Sequence, residues 1–243
     1  KVVCTIARNG DLVGRMILEI DITGVGASGV RGLGHKLIKS AEVEIGGQKI
    51  DKHYGEWMDV WNQLTNPIGK GNQLSDMTDG KLPISATTDV TTDDKLYIPL
   101  QFWFNRNPGL ALPLIALQYH EVKVNFELRP ASECYVGSPT GTVSLTNASL
   151  YVDYIYLDTD ERRQFAQVAH EYLIEELQYT GAESFSNQAV KASLNFNHPV
   201  KELIWTVQLD TNTDSGANRW TDYTDNGTGP NPYNGGQANA SAK

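Results

Sequence analysis

Residues 122–129, Val-Lys-Val-Asn-Phe-Glu-Leu-Arg, alternate apolar and polar side chains with a period of two. This alternation turns one set of side chains toward a core and the other toward solvent, so it predicts a β-strand with one buried face. The same pattern recurs in residues 16–22, 41–45 and 203–209. In residues 150–157 both sets are largely apolar, which predicts a strand that is covered on both faces.

Turn-forming residues separate these strands. Gly46 and Gly47 directly follow the strand at 41–45 and predict a hairpin, because glycine tolerates a positive φ. Short strands separated by Gly, Pro, Asn and Asp favour an antiparallel sandwich or jelly roll over a parallel α/β fold. The 243 residues suffice for one large sandwich or two smaller domains.

Two segments have helical spacing instead. Apolar residues in 53–64, including Trp57 and Trp61 one turn apart, predict an amphipathic helix that packs on the sandwich from within a loop. Residues 158–170 predict a short connecting helix that is capped by Asp158 or Thr159. From residue 211 onward the chain is rich in Asn, Gly, Thr and Asp, which is typical of an exposed loop.

Charge and cysteine content exclude several functions. Twenty basic residues against 29 acidic ones give a net charge of -9, which disfavours direct binding to nucleic acid. The two cysteines, Cys4 and Cys134, support neither a disulfide framework nor a zinc site. No stretch reaches the roughly 18 consecutive apolar residues of a membrane span, so we expect none.

Two motifs resemble ligand sites without their context. Residues 24–29 match GxGxxG, but neither a long helix nor βαβ alternation follows, so we interpret them as a flexible loop. Residues 210–216 resemble the start of a calcium loop but lack its glycine spacing and final glutamate. The five histidines are not clustered, and no nucleophile motif occurs. We therefore predict no catalytic, metal or cofactor-binding residue and no enzymatic activity.

Aromatic residues and sequons are the remaining candidates. Residues 102–104, Phe-Trp-Phe, fit the core or a subunit contact better than a stacking platform for bases or sugars. The candidate subunit contacts are Trp57, Trp61, Phe102 and Trp103. The candidate glycosylation sites are the sequon residues Asn147, Asn226 and Asn239.

Four stretches together resemble the major capsid proteins of nucleocytoplasmic large DNA viruses, such as the phycodnaviruses and iridoviruses. They are residues 42–54 (EVEIGGQKIDKHY), 97–124 (YIPLQFWFNRNPGLALPLIALQYHEVKV), 152–181 (VDYIYLDTDERRQFAQVAHEYLIEELQYTG) and 194–199 (LNFNHP). Residues 8–12 also look like an early strand of that family. The likeness extends over about residues 1–210 in the right order, whereas the loop after 211 does not align.

The resemblance implies an all-β double jelly roll with short helices in its loops. Residues 1–158 would form the first jelly roll, with its N-terminal strand missing, and 159–170 a linker helix. Residues 171–243 would begin a second jelly roll that is incomplete in this chain and carries a long exposed loop from 211.

The resemblance also implies a structural role in an icosahedral capsid. Family members form homotrimers, nearly hexagonal capsomers that tile the virion shell beside minor capsid proteins. From the same resemblance we expect an internal viral membrane that lies nearby but is not spanned, assembly in the host cytoplasm, and no cofactor. Two alternatives stay open: a carbohydrate-binding sandwich that uses Trp103, Trp220 or Tyr223, and a jelly-roll metalloenzyme.

Overall fold

Eight strands and six short helices form the described part of the chain. The computed structural model describes residues 1–23, 32–67, 69–79, 94–134, 144–186, 190–213, 221 and 223. The strands are β1 (Val2–Thr5), β2 (Leu12–Thr23), β3 (Ile38–Ile45), β4 (Gln48–Tyr54), β5 (Asp94–Pro99), β6 (Leu112–Pro113), β7 (Val122–Leu128) and β8 (Ser144–Ile155). The helices are α1 (Leu33–Leu37), α2 (Gly55–Thr65), α3 (Gly71–Asp79), α4 (Trp103–Arg106), α5 (Thr159–Gln167) and α6 (Asp210–Thr213).

The strands form two antiparallel sheets. The first has the order β1-β7-β3-β4. In the second, β2 pairs with β8 along one edge and with β5 and β6 along the other. Apolar side chains of both sheets meet in a single core, to which β2 contributes Met16, Leu18 and Ile20 and β7 contributes Val124 and Phe126. The predicted antiparallel sandwich is therefore confirmed.

The hairpin between β3 and β4 forms where the glycine pair predicted it. Gly46 and Gly47 have φ values of 59° and 84°, and Ile45 pairs with Gln48 across the turn. Left-handed values at both positions suit glycine, since they would strain most other residues. A Cβ atom on Gly46 would also lie only 2.6 Å from Nδ1 of His120.

Two strand predictions were wrong in part or in full. One face of β8 is exposed instead of covered, with Tyr151 at 55% exposure. Residues 203–209 form no strand, and Trp205 is 77% exposed. The alternation is present in this segment, but residues 168–186 and 190–209 contain no strand. A β-strand is defined by backbone hydrogen bonds to a neighbouring strand, and residues 203–209 have no such neighbour in the described structure.

Both predicted helices are confirmed, with shifted ends. The first begins at Gly55 rather than at 53, because His53 and Tyr54 still pair in β4. The connecting helix α5 is capped by Asp158, whose side chain accepts a hydrogen bond from the Glu161 amide at 2.8 Å. Within the described ranges, no helix has both the length and the hydropathy to cross a bilayer.

Candidate assembly surface

The inner side of helix α2 carries polar groups as well as apolar ones. Met58 is fully buried, but Asp59 and Asn62 are buried beside it. Asn62 Nδ2 lies 3.0 Å from Nε2 of His35 and its Oδ1 accepts from Gln101 at 3.0 Å, while Asp59 lies 3.6 Å from His35 Nδ1. Because a buried polar group is costly without a partner, this network fixes which side of α2 faces the sandwich.

The outer side of α2 is an apolar stripe, which we define as Trp57, Val60, Trp61 and Leu64. These residues follow the spacing i, i+3, i+4 and i+7, so they share one helical face. The Trp57 and Trp61 rings lie 5.4 Å apart, both part-buried, and Leu64 is 62% exposed. The helix thus turns its most apolar face away from the core of its own chain.

Ion pairs border the apolar stripe. The Arg106 guanidinium lies 5.0 Å from the centre of the Trp61 ring and 3.3 Å from Oε2 of Glu175. Glu56 of α2 pairs with Arg129. A hydrogen bond from Lys201, together with the charge of Arg106, holds the pKa of Glu175 below its usual value. The charges beside the stripe are therefore already matched within the chain.

The segment after α5 lies against the sandwich next to this surface. The Leu177 amide donates to Oδ1 of Asp51 at 3.0 Å, and the Tyr179 ring lies 5.0 Å from that of Tyr54. Asp51 also contacts Nε2 of the buried His53 at 2.8 Å. Asp51 therefore joins the sandwich to the chain that continues beyond α5.

Apolar side chains stand exposed along this continuing segment. Those at least 37% exposed between residues 171 and 209 are Leu173, Ile174, Tyr179, Phe185, Val190, Leu194, Val200, Leu203, Trp205, Val207 and Leu209. So many exposed apolar side chains are unusual for the surface of a soluble protein.

The four candidate subunit contacts fall into two pairs. Trp57 and Trp61 lie on the outer face of α2, where they can meet a neighbour. Phe102 and Trp103 lie in the core, with 0% and 2% exposure, so neither side chain can reach another subunit. The sequence was compatible with either a core position or a subunit contact for Phe102 and Trp103, and the structure places both residues in the core.

The other candidates are placed only in part. Asn147 is exposed on β8, whereas Asn226 and Asn239 lie outside the described residues. Of the three aromatic residues considered for sugar stacking, Trp103 is buried, Tyr223 is part-buried and Trp220 lies outside the described residues. The GxGxxG stretch is not described either, and residues 210–213 form α6 instead of a calcium loop.

Side chains that could ligate a metal ion are spread apart in the part of the chain that the structure describes. In the described ranges, no three His, Cys, Asp or Glu side chains are grouped so as to hold a metal ion. Burial raises the pKa of the Cys134 thiol to about 11, so it stays protonated and packs as a small apolar group.

Asp11 has a role that sequence patterns did not indicate. Its Oδ2 accepts from the Leu157 amide at 2.9 Å and its Oδ1 lies 3.0 Å from Nε of Arg162. This buried carboxylate thus fastens the start of the connector and α5 to β2. Both partners follow Asp11 by at least 146 residues in the sequence, so no local pattern could predict these contacts.

We expect Asp11→Asn to lower the free energy of unfolding by about 2 kcal/mol, because a hydrogen bond to a charged group is worth about 1.5–3 kcal/mol. The asparagine side chain keeps the shape of aspartate but has no charge. Its NH₂ group would also face the Leu157 amide or the Arg162 guanidinium, which are themselves hydrogen-bond donors. Urea unfolding of the intact polypeptide measures this loss. Asp160→Asn is the matched control, since its side chain is 91% exposed on α5; equal losses in both variants would argue against the role of Asp11.

Comparison with known proteins identifies the family. A family model described as the N-terminus of major capsid proteins matches residues 1–158, and one for the large eukaryotic DNA virus major capsid protein matches residues 161–242. The chain therefore belongs to the major capsid proteins of large eukaryotic DNA viruses. Its predicted fold class, an all-β double jelly roll, is confirmed by this family and by the structural match below.

Individual relatives agree with the family. The major capsid protein of Pyramimonas orientalis virus is 56% identical over 209 residues, which cover 84% of this chain and 51% of the relative. That of Phaeocystis pouchetii virus is 47% identical, with 88% and 49% covered. A quasi-atomic model of the PBCV-1 virus capsid is similar in structure, with a TM-score of 0.69, 38% identity, and 81% and 49% covered. The chain thus spans about half the length of the curated relatives it matches.

Proposed function

We propose that this chain is the first sandwich, and the lead into the second, of a shell subunit that assembles in threes into nearly hexagonal capsomers. The capsomers would tile the outer shell of an icosahedral virion. The observation that supports this most is the eight-stranded sandwich itself, which matches the PBCV-1 capsid model at 38% identity. A subunit of this kind works through shape and contact area rather than through a catalytic residue.

The exposed apolar segment supports the proposal that more chain completes the fold. Residues 171–186 and 190–209 contain neither helix nor strand, and side chains such as Leu203 and Trp205 are exposed. In a longer polypeptide these residues would gain strand partners and become one wall of the second sandwich. The outer edge of β8 fits the additional N-terminal strand that the family resemblance implies.

The partners follow from this role. We infer contacts with other copies of the chain and with minor capsid proteins, close to an internal membrane that the subunit does not span, after assembly in the host cytoplasm. The net charge of -9 supports a subunit that does not bind the genome directly. Asn147, on an exposed strand, remains a candidate for glycosylation, as do Asn226 and Asn239.

Electron microscopy of the purified full-length protein tests the proposal. We expect blocks with a nearly hexagonal outline that pack into hexagonal arrays at high protein concentration. Particles without threefold symmetry, together with absence of the polypeptide from purified virions, would refute a shell function.

A further inference from the structure

We propose that the apolar stripe of α2, formed by Trp57, Val60, Trp61 and Leu64, is a contact surface for a second copy of this chain. This inference rests on the proposed function and extends it, since it assigns one place at which copies meet. The juxtaposition that carries it is a helix with hydrogen-bonded polar side chains on its inner face and apolar ones on its outer face.

The orientation of α2 is fixed by its inner face. Turning the helix to bury the stripe would bring Asp59 and Asn62 to the surface and break their contacts with His35 and Gln101. His35 would then stay buried without those partners, which costs free energy. The apolar stripe is therefore held outward by the polar network beneath it.

The composition of the stripe suits a protein partner. Tryptophan is enriched at the centres of protein interfaces, where burial of its large ring contributes most to affinity. Leu64, 62% exposed at the end of the stripe, extends the apolar area to the last turn of α2. Ion pairs at Arg106 and Glu56 give this area a polar border, the arrangement of an interface core with its rim.

The charge distribution favours a second copy as that partner. Two chains of net charge -9 repel each other over most of their surfaces. No residue of the stripe is charged. The Arg106 guanidinium beside Trp61 is paired with Glu175, which also pairs with Lys201, and Glu56 is paired with Arg129. Copies can therefore approach here with little repulsion. An anionic partner such as nucleic acid would need cations that these carboxylates already engage.

A matched pair of variants in the intact polypeptide tests the inference. Leu64→Glu and Thr65→Glu each add one negative charge to the same turn of α2, but only Leu64 belongs to the stripe. Both residues are exposed, so neither variant is expected to unfold the chain. Association is measured by sedimentation at several concentrations, and folding by the thermal midpoint. We expect Leu64→Glu to weaken association at least about tenfold, and Thr65→Glu to leave it within about twofold.

The possible outcomes separate this inference from the proposed function. If the unaltered polypeptide stays monomeric, the proposed function fails and the inference with it. If it associates and Leu64→Glu associates as tightly, or both variants weaken association equally, only the inference on α2 is overturned. A lower thermal midpoint for Leu64→Glu with unchanged association would assign the stripe to packing within the chain and would likewise overturn it.

Discussion

Replacement of Phe102 by alanine is expected to lower the free energy of unfolding by about 3–5 kcal/mol, as truncation of a fully buried phenylalanine generally does. The ring has no exposed surface. It stacks on His53 at 4.5 Å and on Phe104 at 6.0 Å between ring centres, so its loss leaves a cavity under α4. Urea unfolding of the intact polypeptide, followed by tryptophan fluorescence, measures the change.

Tyr119→Ala is the control for this prediction. It removes an aromatic ring that is 95% exposed, so stability should hardly change. If Phe102→Ala left stability near that of the control but weakened association between copies, Phe102 would belong to a subunit contact after all, and its placement in the core would be refuted.

Gly55→Ala is expected to destabilise the protein by about 3 kcal/mol or slightly more, at the upper end of the usual cost of overpacking. A Cβ atom at this first residue of α2 would lie 2.1 Å from the carbonyl oxygen of His35 and 2.4 Å from that of Ile38. Both obstacles are backbone atoms, so the helix itself must move. This expected loss of stability is opposite to the usual effect, since replacing glycine by alanine in a helix normally stabilises the helix.

The matched control is Gly14→Ala in β2, where a new Cβ atom would meet its nearest neighbour, Ile155, at an ordinary 3.7 Å. Thermal unfolding should separate the two variants, with a clear drop in the midpoint only for Gly55→Ala. A Gly55→Ala variant as stable as Gly14→Ala would mean that α2 does not pack on α1 and β3 as described.

The sandwich could be predicted because its strands show their pattern locally. Period-two alternation located β2, β3 and β7, and a glycine pair located the hairpin. Coverage of a strand is a tertiary property, however, and the apolar pattern of β8 gave no sign that one face would be exposed. The alternation at 203–209 failed for a related reason, since a strand needs a neighbour that sequence spacing alone does not supply.

The candidate surface was predictable in position but not in orientation. Helical spacing identified Trp57, Met58 and Trp61 as one amphipathic set, yet the structure buries Met58 fully and leaves both tryptophans part-buried on the opposite side of the helix. What decides the orientation is the contact of Asn62 with His35 and Gln101, 27 and 39 residues away. Such long-range polar partners, like the contact of Asp51 with Leu177, leave no periodic trace in the sequence.

The oligomeric mass of the full-length protein shows directly whether three subunits associate. Native mass spectrometry or sedimentation equilibrium should give three times the mass of one polypeptide at micromolar concentration, because the proposed capsomer consists of three subunits. A mass of a single polypeptide that persists as concentration rises would contradict it.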